Sequence, residues 1–88
     1  MTALEQLSEI AIGANQLVEA QKYLEQILKK KPYDSVALNN LAWVYQQRGD
    51  DRARALARQA YVLAPGPQTA DTLGWILVTS GDATGGLA

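Results

Sequence analysis

The chain repeats a pattern of residues about every 33 positions. Pro32 and Pro65 are 33 residues apart, and Ala20 and Ala53 have the same separation. Further pairs recur at a separation of 32 residues: Leu41 and Leu73, Trp43 and Trp75, and Gly49 and Gly81. A period in the range of about 20 to 50 residues is typical of chains that stack copies of one supersecondary unit. The sequence therefore predicts a stack of similar units, with small length changes in the loops.

Each unit carries two apolar stripes with helical spacing. Steps of three and four residues place side chains on one face of an α-helix, whereas a strand would alternate every second residue. The stripes of the first unit are Leu4, Leu7 and Ala11, and then Leu17, Ala20, Leu24, Ile27 and Leu28. Those of the second unit are Leu38, Leu41, Ala42 and Tyr45, and then Ala53, Leu56, Ala57, Ala60 and Leu63. Each complete unit is therefore predicted to be a pair of helices.

Proline and glycine mark where these helices end. Because proline cannot continue a helix and disfavours the α conformation in the residue before it, helix ends are expected at Lys31 and Ala64. Glycine adopts the left-handed conformation of a helix cap without steric penalty. Such caps are expected at Gly49 and Gly81.

Composition excludes several classes of function. The net charge is −1, from 8 basic and 9 acidic residues, so no basic surface is available for nucleic acid. The 88 residues include no His and no Cys, which removes the commonest general base, the thiol nucleophile and most metal sites. No apolar run approaches the length of about 20 residues that spans a bilayer, so membrane insertion is not expected.

The remaining polar clusters do not predict an enzyme. Glu5 and Glu9 share one helical face, but a carboxylate pair without a cleft, metal or nucleophile is usually solvated surface. The glycine-rich segment 81–86 lacks the Lys and Ser or Thr that complete a phosphate-binding loop. An arginine cluster is expected to pair with Asp50 and Asp51; it consists of Arg48, Arg52, Arg54 and Arg58. We expect no catalysis, no cofactor and no bound metal.

These residues resemble the tetratricopeptide repeat, a helical hairpin of 34 residues. In the first unit the signature positions hold Leu4, Leu7, Ser8, Ala11, Ala20, Leu24, Ile27 and Pro32. In the second unit they hold Leu38, Leu41, Ala42, Tyr45, Gly49, Asp50, Ala53, Ala60 and Pro65. The chain departs from the pattern at Asn15, Ile27 and Ala57, which affects the packing detail.

The resemblance implies an all-α fold, a right-handed α-solenoid of about two and a half repeats with five helices. The first unit would span 1–34 and the second 35–66, and 67–88 would hold the first helix of a truncated third unit. Close helix approach is expected at Ala20, Ala42, Ala53, Ala60 and Gly74, and a core at Leu41, Tyr45, Leu56 and Leu63. A second helix is expected to follow, so that the chain is part of a longer array.

In the family, the first helix of each unit lines a concave groove. Carried over position by position, the groove residues are Glu5, Glu9, Ile12, Val36, Asn39, Trp43, Gln46, Gln47, Asp71, Trp75 and Val78, with Thr2, Gly13, Gln68 and Thr79 at the remaining positions. Trp43 and Trp75 would stack on adjacent helices. Relatives that bind a peptide carboxylate have Lys and Asn where Glu5 and Glu9 stand here, so a neutral or basic peptide is expected rather than an acidic one.

The resemblance implies a scaffold that binds a peptide or helix of a protein partner in this groove. In the alternative interpretation the units only extend or cap a longer solenoid, and both Trp residues pack between repeats. Self-association is a further alternative, because segment 69–80 places Leu73, Trp75, Ile76, Leu77 and Val78 on a terminal helix. A homodimer through this third-unit helix is therefore expected.

A narrower resemblance concerns three segments, 37–43, 61–65 and 71–77. Their sequences are similar to those of the C-terminal repeats of envelope lipoproteins that accompany exosortase and exopolysaccharide (PEP-CTERM) systems. This resemblance would place the parent protein in a bacterial cell envelope or periplasm. The residues themselves assign no compartment.

Overall fold

The computed structural model describes residues 2–79, which form five α-helices and no strand. The helices are α1 (Ala3–Gly13), α2 (Leu17–Lys30), α3 (Ser35–Gln47), α4 (Arg52–Leu63) and α5 (Pro67–Thr79). The predicted all-helical class with five helices is confirmed for these residues. The predicted cap at Gly81 and the glycine-rich segment 81–86 lie outside them.

Side-chain caps fix the starts of α1 and α3. Thr2 Oγ1 accepts a hydrogen bond from the Glu5 amide at 3.2 Å, and Glu5 Oε1 accepts one from the Thr2 amide at 2.9 Å. This reciprocal pair is a capping box, which satisfies two amides that the first helical turn leaves unpaired. Asp34 Oδ1 accepts from the Ala37 amide at 3.1 Å and caps α3 in the same way.

The helix ends agree with the sequence. Lys31 and Ala64 are the C-cap residues of α2 and α4, each followed directly by a proline. Gly49 has a φ of +73° and ends α3 in the left-handed conformation that glycine favours. Asn15 has a φ of +59° in the turn after α1, and asparagine is among the few residues that tolerate this conformation.

Each helix packs against the next one along the chain, and α3 also packs against α5. Alanines allow the close approach: Ala20, Ala42, Ala53, Ala57 and Ala60 are all buried. The prediction for Gly74 is wrong, because this residue is exposed and a Cβ added there would meet no atom within 4 Å. No described helix approaches α5 on that side.

Two predictions about large apolar residues also need correction. Leu63 was predicted in the core, but its position as the last residue of α4 leaves it 44% exposed. Ile76 was predicted on an exposed apolar face, yet it is completely buried. The reason is that α5 packs against both α3 and α4, and this contact covers Ile76. Leu73, Trp75 and Leu77 are half-buried, and only Val78 of that predicted face is largely exposed.

A polar network connects α2 to α3 and to the start of α4. The Tyr45 hydroxyl donates to Glu25 Oε2 at 2.7 Å, and the Arg52 guanidinium lies over the Tyr45 ring at 4.3 Å. Arg52 also pairs with Asp50 at 2.7 Å, as the sequence predicted for the arginine cluster. This hydrogen-bonded guanidinium lowers the pKa of Asp50 to about 2. Arg48 donates instead to the Gln21 side chain.

The Tyr45 hydroxyl makes the free energy of unfolding depend on pH in the alkaline range. Burial, and then the hydrogen bond to the Glu25 carboxylate, raise the pKa of Tyr45 to about 12 from its usual value of about 10. Because the folded state holds this proton more tightly, its contribution is complete below about pH 10 and is lost as the pH rises through about 12. We expect the free energy of unfolding, from denaturant titrations, to fall less steeply over this window in Tyr45→Phe than in the wild type. The matched control Tyr33→Phe, at an exposed tyrosine, should keep the wild-type slope; equal slopes in all three proteins would contradict the prediction.

Candidate binding face

The eleven residues predicted to line a groove all lie on α1, α3 and α5. We call this set the candidate binding face: Glu5, Glu9, Ile12, Val36, Asn39, Trp43, Gln46, Gln47, Asp71, Trp75 and Val78. No member of the set lies on α2 or α4. The structure brings part of this set together around the contact between α3 and α5.

Trp43 and Trp75 form the centre of the face. Their ring centroids are 6.4 Å apart and the ring planes make an angle of 28°, which is a stacked arrangement. The stacking that the resemblance implied for these two residues is confirmed. Both side chains are half-buried, so each ring packs partly against the core and keeps part of its surface in solvent.

A hydrogen bond fastens the C-terminal ends of α3 and α5 beside this pair. Gln46 Nε2 donates to Thr79 Oγ1 at 2.7 Å, and the Thr79 hydroxyl donates to the carbonyl oxygen of Trp75 at 2.7 Å. The Gln46 amide therefore holds the two helices in register. It is a positioning group of the face as well as a surface residue.

A pocket of about 330 Å³ opens at the other end of α3 and α5. Val36 and Asn39 of α3 line it together with Gln68 of α5 and the loop residues Ala64 and Gly66. Its volume is at the lower end of the range, about 300 to 1,000 Å³, that small-ligand sites occupy. The pocket was not predicted, because it depends on how far the loop between α4 and α5 stands from α3.

Asn39, which lines this pocket, carries an unsatisfied polar atom. Its Oδ1 atom is buried and has no hydrogen-bond partner among the described residues. A buried acceptor without a donor destabilises a structure by about 1 to 3 kcal/mol, so most such atoms in proteins are paired. A donor supplied to Asn39 would remove that penalty.

A small crevice between α1 and α3 continues the face away from the pocket. Glu5 and Glu9 line it from α1, and Val36 lines it from α3. Val36 therefore borders both the crevice and the pocket, so the two form one continuous surface. The hydrogen bond from the Thr2 amide to the Glu5 carboxylate lowers the pKa of Glu5, which keeps this end of the face anionic.

The outer members of the face are less tightly grouped. Ile12 is half-buried against the core, whereas Gln47 and Val78 are exposed near the C-terminal ends of their helices. Asp71 is exposed on α5. The face thus holds three carboxylates and no cationic side chain.

A second groove lies between α2 and α4, with α3 as its floor. It encloses about 470 Å³ and is lined mainly by Leu28, Leu41 and Leu56, with Tyr45 and Arg52 at one side. Its Tyr45 and Arg52 side chains already have partners within the protein, at Glu25 and Asp50. This groove was not predicted, because its width depends on the separation of two helices that are not adjacent in the chain.

Metal binding and membrane spanning each require a particular structural feature, a cluster of ligands or a long apolar helix. Within residues 2–79, no three His, Cys, Asp or Glu side chains form a group that could hold a metal ion. In the same range, no helix combines the length and the apolar character needed to cross a membrane.

Comparisons of the chain with family models, with curated proteins and with solved structures find no match.

Proposed function

We propose that the chain is a protein interaction scaffold that binds an extended peptide segment or helix of a partner along the candidate binding face. The observation that carries the proposal is the half-exposed Trp43–Trp75 stack, with the Val36 and Asn39 pocket on the same pair of helices. Aromatic anchors beside a pocket are the usual energetic centre of a protein interface.

The two tryptophans suit a binding role because of their chemistry. An indole ring offers a large amphipathic surface and loses little conformational entropy on binding, since only two side-chain torsions are fixed. Here the stack and the Gln46–Thr79 hydrogen bond restrict both rings before a partner arrives. Pre-organisation of this kind increases affinity because less ordering is required on binding.

Asn39 suits the recognition of a peptide main chain. Peptide groups carry N–H donors at regular intervals, and the Asn39 Oδ1 atom lacks a donor. The Asn39 side chain lines the pocket, and an amide can both donate to a main-chain carbonyl and accept from a main-chain N–H. The neighbouring pocket would then accept one side chain of the peptide.

The charge of the candidate binding face restricts which peptides can bind to it. Glu5, Glu9 and Asp71 are the charged members of the face, and the pKa of Glu5 is lowered further by its cap hydrogen bonds. Like charges across an interface are unfavourable, whereas opposite charges increase the rate and specificity of association. The proposed ligand is therefore a neutral or basic peptide.

The architecture that fits this function is a right-handed α-solenoid of tetratricopeptide type. In support, α3 begins at Ser35 and α5 begins at Pro67, where the second and third units were predicted to start. Helices α3 and α5, which would be the first helices of these two units, are also in contact. The envelope lipoprotein parentage suggested by segments 37–43, 61–65 and 71–77 belongs to the same proposal.

The proposal can be tested with a displayed library of random peptides selected against the protein. We expect the enriched sequences to carry neutral or positive charge and to lose affinity by about tenfold or more when Val36→Lys or Val78→Lys is introduced, because the substitution removes an apolar contact and places a cation where a basic peptide binds. Both residues are more than half exposed, so the changes should leave folding intact. Val62→Lys, at an exposed valine on α4, is the matched control and should bind normally.

The outcome also separates the main alternative, a spacer that extends or caps an array without its own ligand. That alternative is also compatible with the Trp43–Trp75 stack, because the stack joins α3 to α5 and would then serve packing alone. No enrichment from a diverse library, or enriched peptides that bind Val36→Lys and Val78→Lys as tightly as the wild type, would favour the spacer.

A further inference from the structure

Helix α3 shows what a fully covered helix looks like in this fold. One of its faces carries Ala37, Leu41 and Val44, and the neighbouring face carries Leu38, Ala42 and Tyr45. All six side chains are at most 3% exposed. Packing of α2 and of α4 against α3 accounts for this double coverage.

Helix α1 exposes the face that corresponds to the first of these. The residues 34 positions before Ala37, Leu41 and Val44 are Ala3, Leu7 and Ile10. Leu7 is 42% exposed and Ile10 is 66% exposed, whereas their counterparts on α3 are buried. We call Ala3, Leu7 and Ile10 the α1 outer face. It projects two large aliphatic side chains into solvent.

Helix α5 exposes the face that corresponds to the second. The residues 32 positions after Leu38, Ala42 and Tyr45 are Ala70, Gly74 and Leu77, which we call the α5 outer face. Ala70 and Gly74 are exposed, and the space above Gly74 is open to at least 4 Å from an added Cβ. Leu77 is half-buried. The first two positions of this face carry one methyl group between them, so they leave space for larger side chains of another helix.

We propose that copies of the chain associate head to tail, with the α1 outer face of one copy packed on the α5 outer face of the next. Large side chains of one helix fit between the side chains of another where those are small, which is how helices pack. Leu7 and Ile10 supply the projections, and Ala70 and Gly74 supply the space. A second copy is the occupant that carries the complementary face in the same molecule.

A symmetric pairing of two α5 outer faces explains less. It would leave Leu7 and Ile10 of both copies in water, at an unfavourable free energy that grows with the exposed apolar area. Head-to-tail contacts cover both faces, and each added copy brings one further face of each kind, so association can continue beyond a dimer. This association is independent of peptide binding, because it uses α1 and α5 surfaces outside the candidate binding face.

The test uses two blocking variants and sedimentation velocity over a wide range of protein concentration. Ile10→Glu places a charge on the α1 outer face, and Gly74→Glu places one on the α5 outer face. Both positions are exposed, and replacing a helical glycine favours the helix, so folding should survive. Gln59→Glu on α4 is the control for added negative charge at an exposed site.

We expect the mass of the wild type and of Gln59→Glu to rise with concentration beyond that of a dimer. Each blocking variant alone should remain monomeric. An equimolar mixture of the two should form a one-to-one dimer and stop there, because each partner contributes one intact face. A wild type that stays monomeric at every concentration would overturn the proposal. An Ile10→Glu variant that dimerises by itself would also overturn it, in favour of the symmetric pairing.

Discussion

Replacing Leu24 by alanine is expected to lower the free energy of unfolding by about 2 to 5 kcal/mol. Leu24 of α2 is 1% exposed and is among the largest fully buried side chains of the protein. Its removal deletes buried aliphatic surface and leaves a cavity that α1 and α3, the neighbours of α2, can close only in part. Since a small domain has a stability of about 5 to 15 kcal/mol, this one change should shift the unfolding midpoint substantially.

Urea titrations followed by circular dichroism measure this effect. The matched control is Val18→Ala on the same helix, where the side chain is 59% exposed. A substitution at such a surface position usually changes stability by no more than about 0.5 kcal/mol. If Leu24→Ala and Val18→Ala had the same midpoint, the described packing of α2 would be wrong.

Replacing Ile76 by alanine is expected to lower the free energy of unfolding by a similar amount, about 2 to 5 kcal/mol. Ile76 is completely buried, and it belongs to the same core cluster as Leu24 and Val44. The change tests whether α5 is an integral part of the fold, as its contacts with α3 and α4 indicate. A weakened α5 should also disturb the stack of Trp43 and Trp75, so tryptophan fluorescence should report the transition.

Val78→Ala is the matched control for Ile76, because it removes an aliphatic side chain from the same helix at a site 67% exposed. We expect Val78→Ala to unfold close to the wild-type midpoint. A loss for Ile76→Ala no larger than that of Val78→Ala would mean that α5 does not pack on the rest of the protein in solution.

Much of the fold follows from local chemistry that the sequence displays. Pro32 and Pro65 end helices because of their own geometry, and Gly49 takes the left-handed conformation that other residues rarely adopt. The stacking of Trp43 on Trp75 follows from the repeat, since equivalent positions on two packed helices lie close together. These features need no knowledge of distant contacts.

The features that could not be predicted from the sequence depend on how the helices are placed relative to each other. Ile76 and Val78 are two apolar residues on one helix, and only the position of α3 and α4 decides that the first is buried and the second exposed. Gly74 was predicted at a site where two helices approach closely, yet no described residue lies within 4 Å of a Cβ added there. The Tyr45–Glu25 hydrogen bond joins residues 20 positions apart and has no local signal.

For the candidate binding face, the sequence predicted which helices contribute but not the shape of the surface. The face residues were assigned from repeat positions, and the structure places them on α1, α3 and α5. The pocket beside Asn39 and its unpaired Oδ1 atom emerge only when α5 and the loop before it are placed against α3. The role of Gln46 in joining α3 to α5 likewise depends on Thr79 lying opposite it.

The measurement that tests the central claim most directly is the mapping of amide chemical shifts by NMR during titration with a peptide selected from the library. Our account predicts that the largest changes fall on α1, α3 and α5, centred on Asn39, Trp43 and Trp75, and that both indole N–H signals move. Changes centred instead on Leu28 and Leu56, in the groove between α2 and α4, would contradict the claim that the candidate binding face is the working surface of the protein.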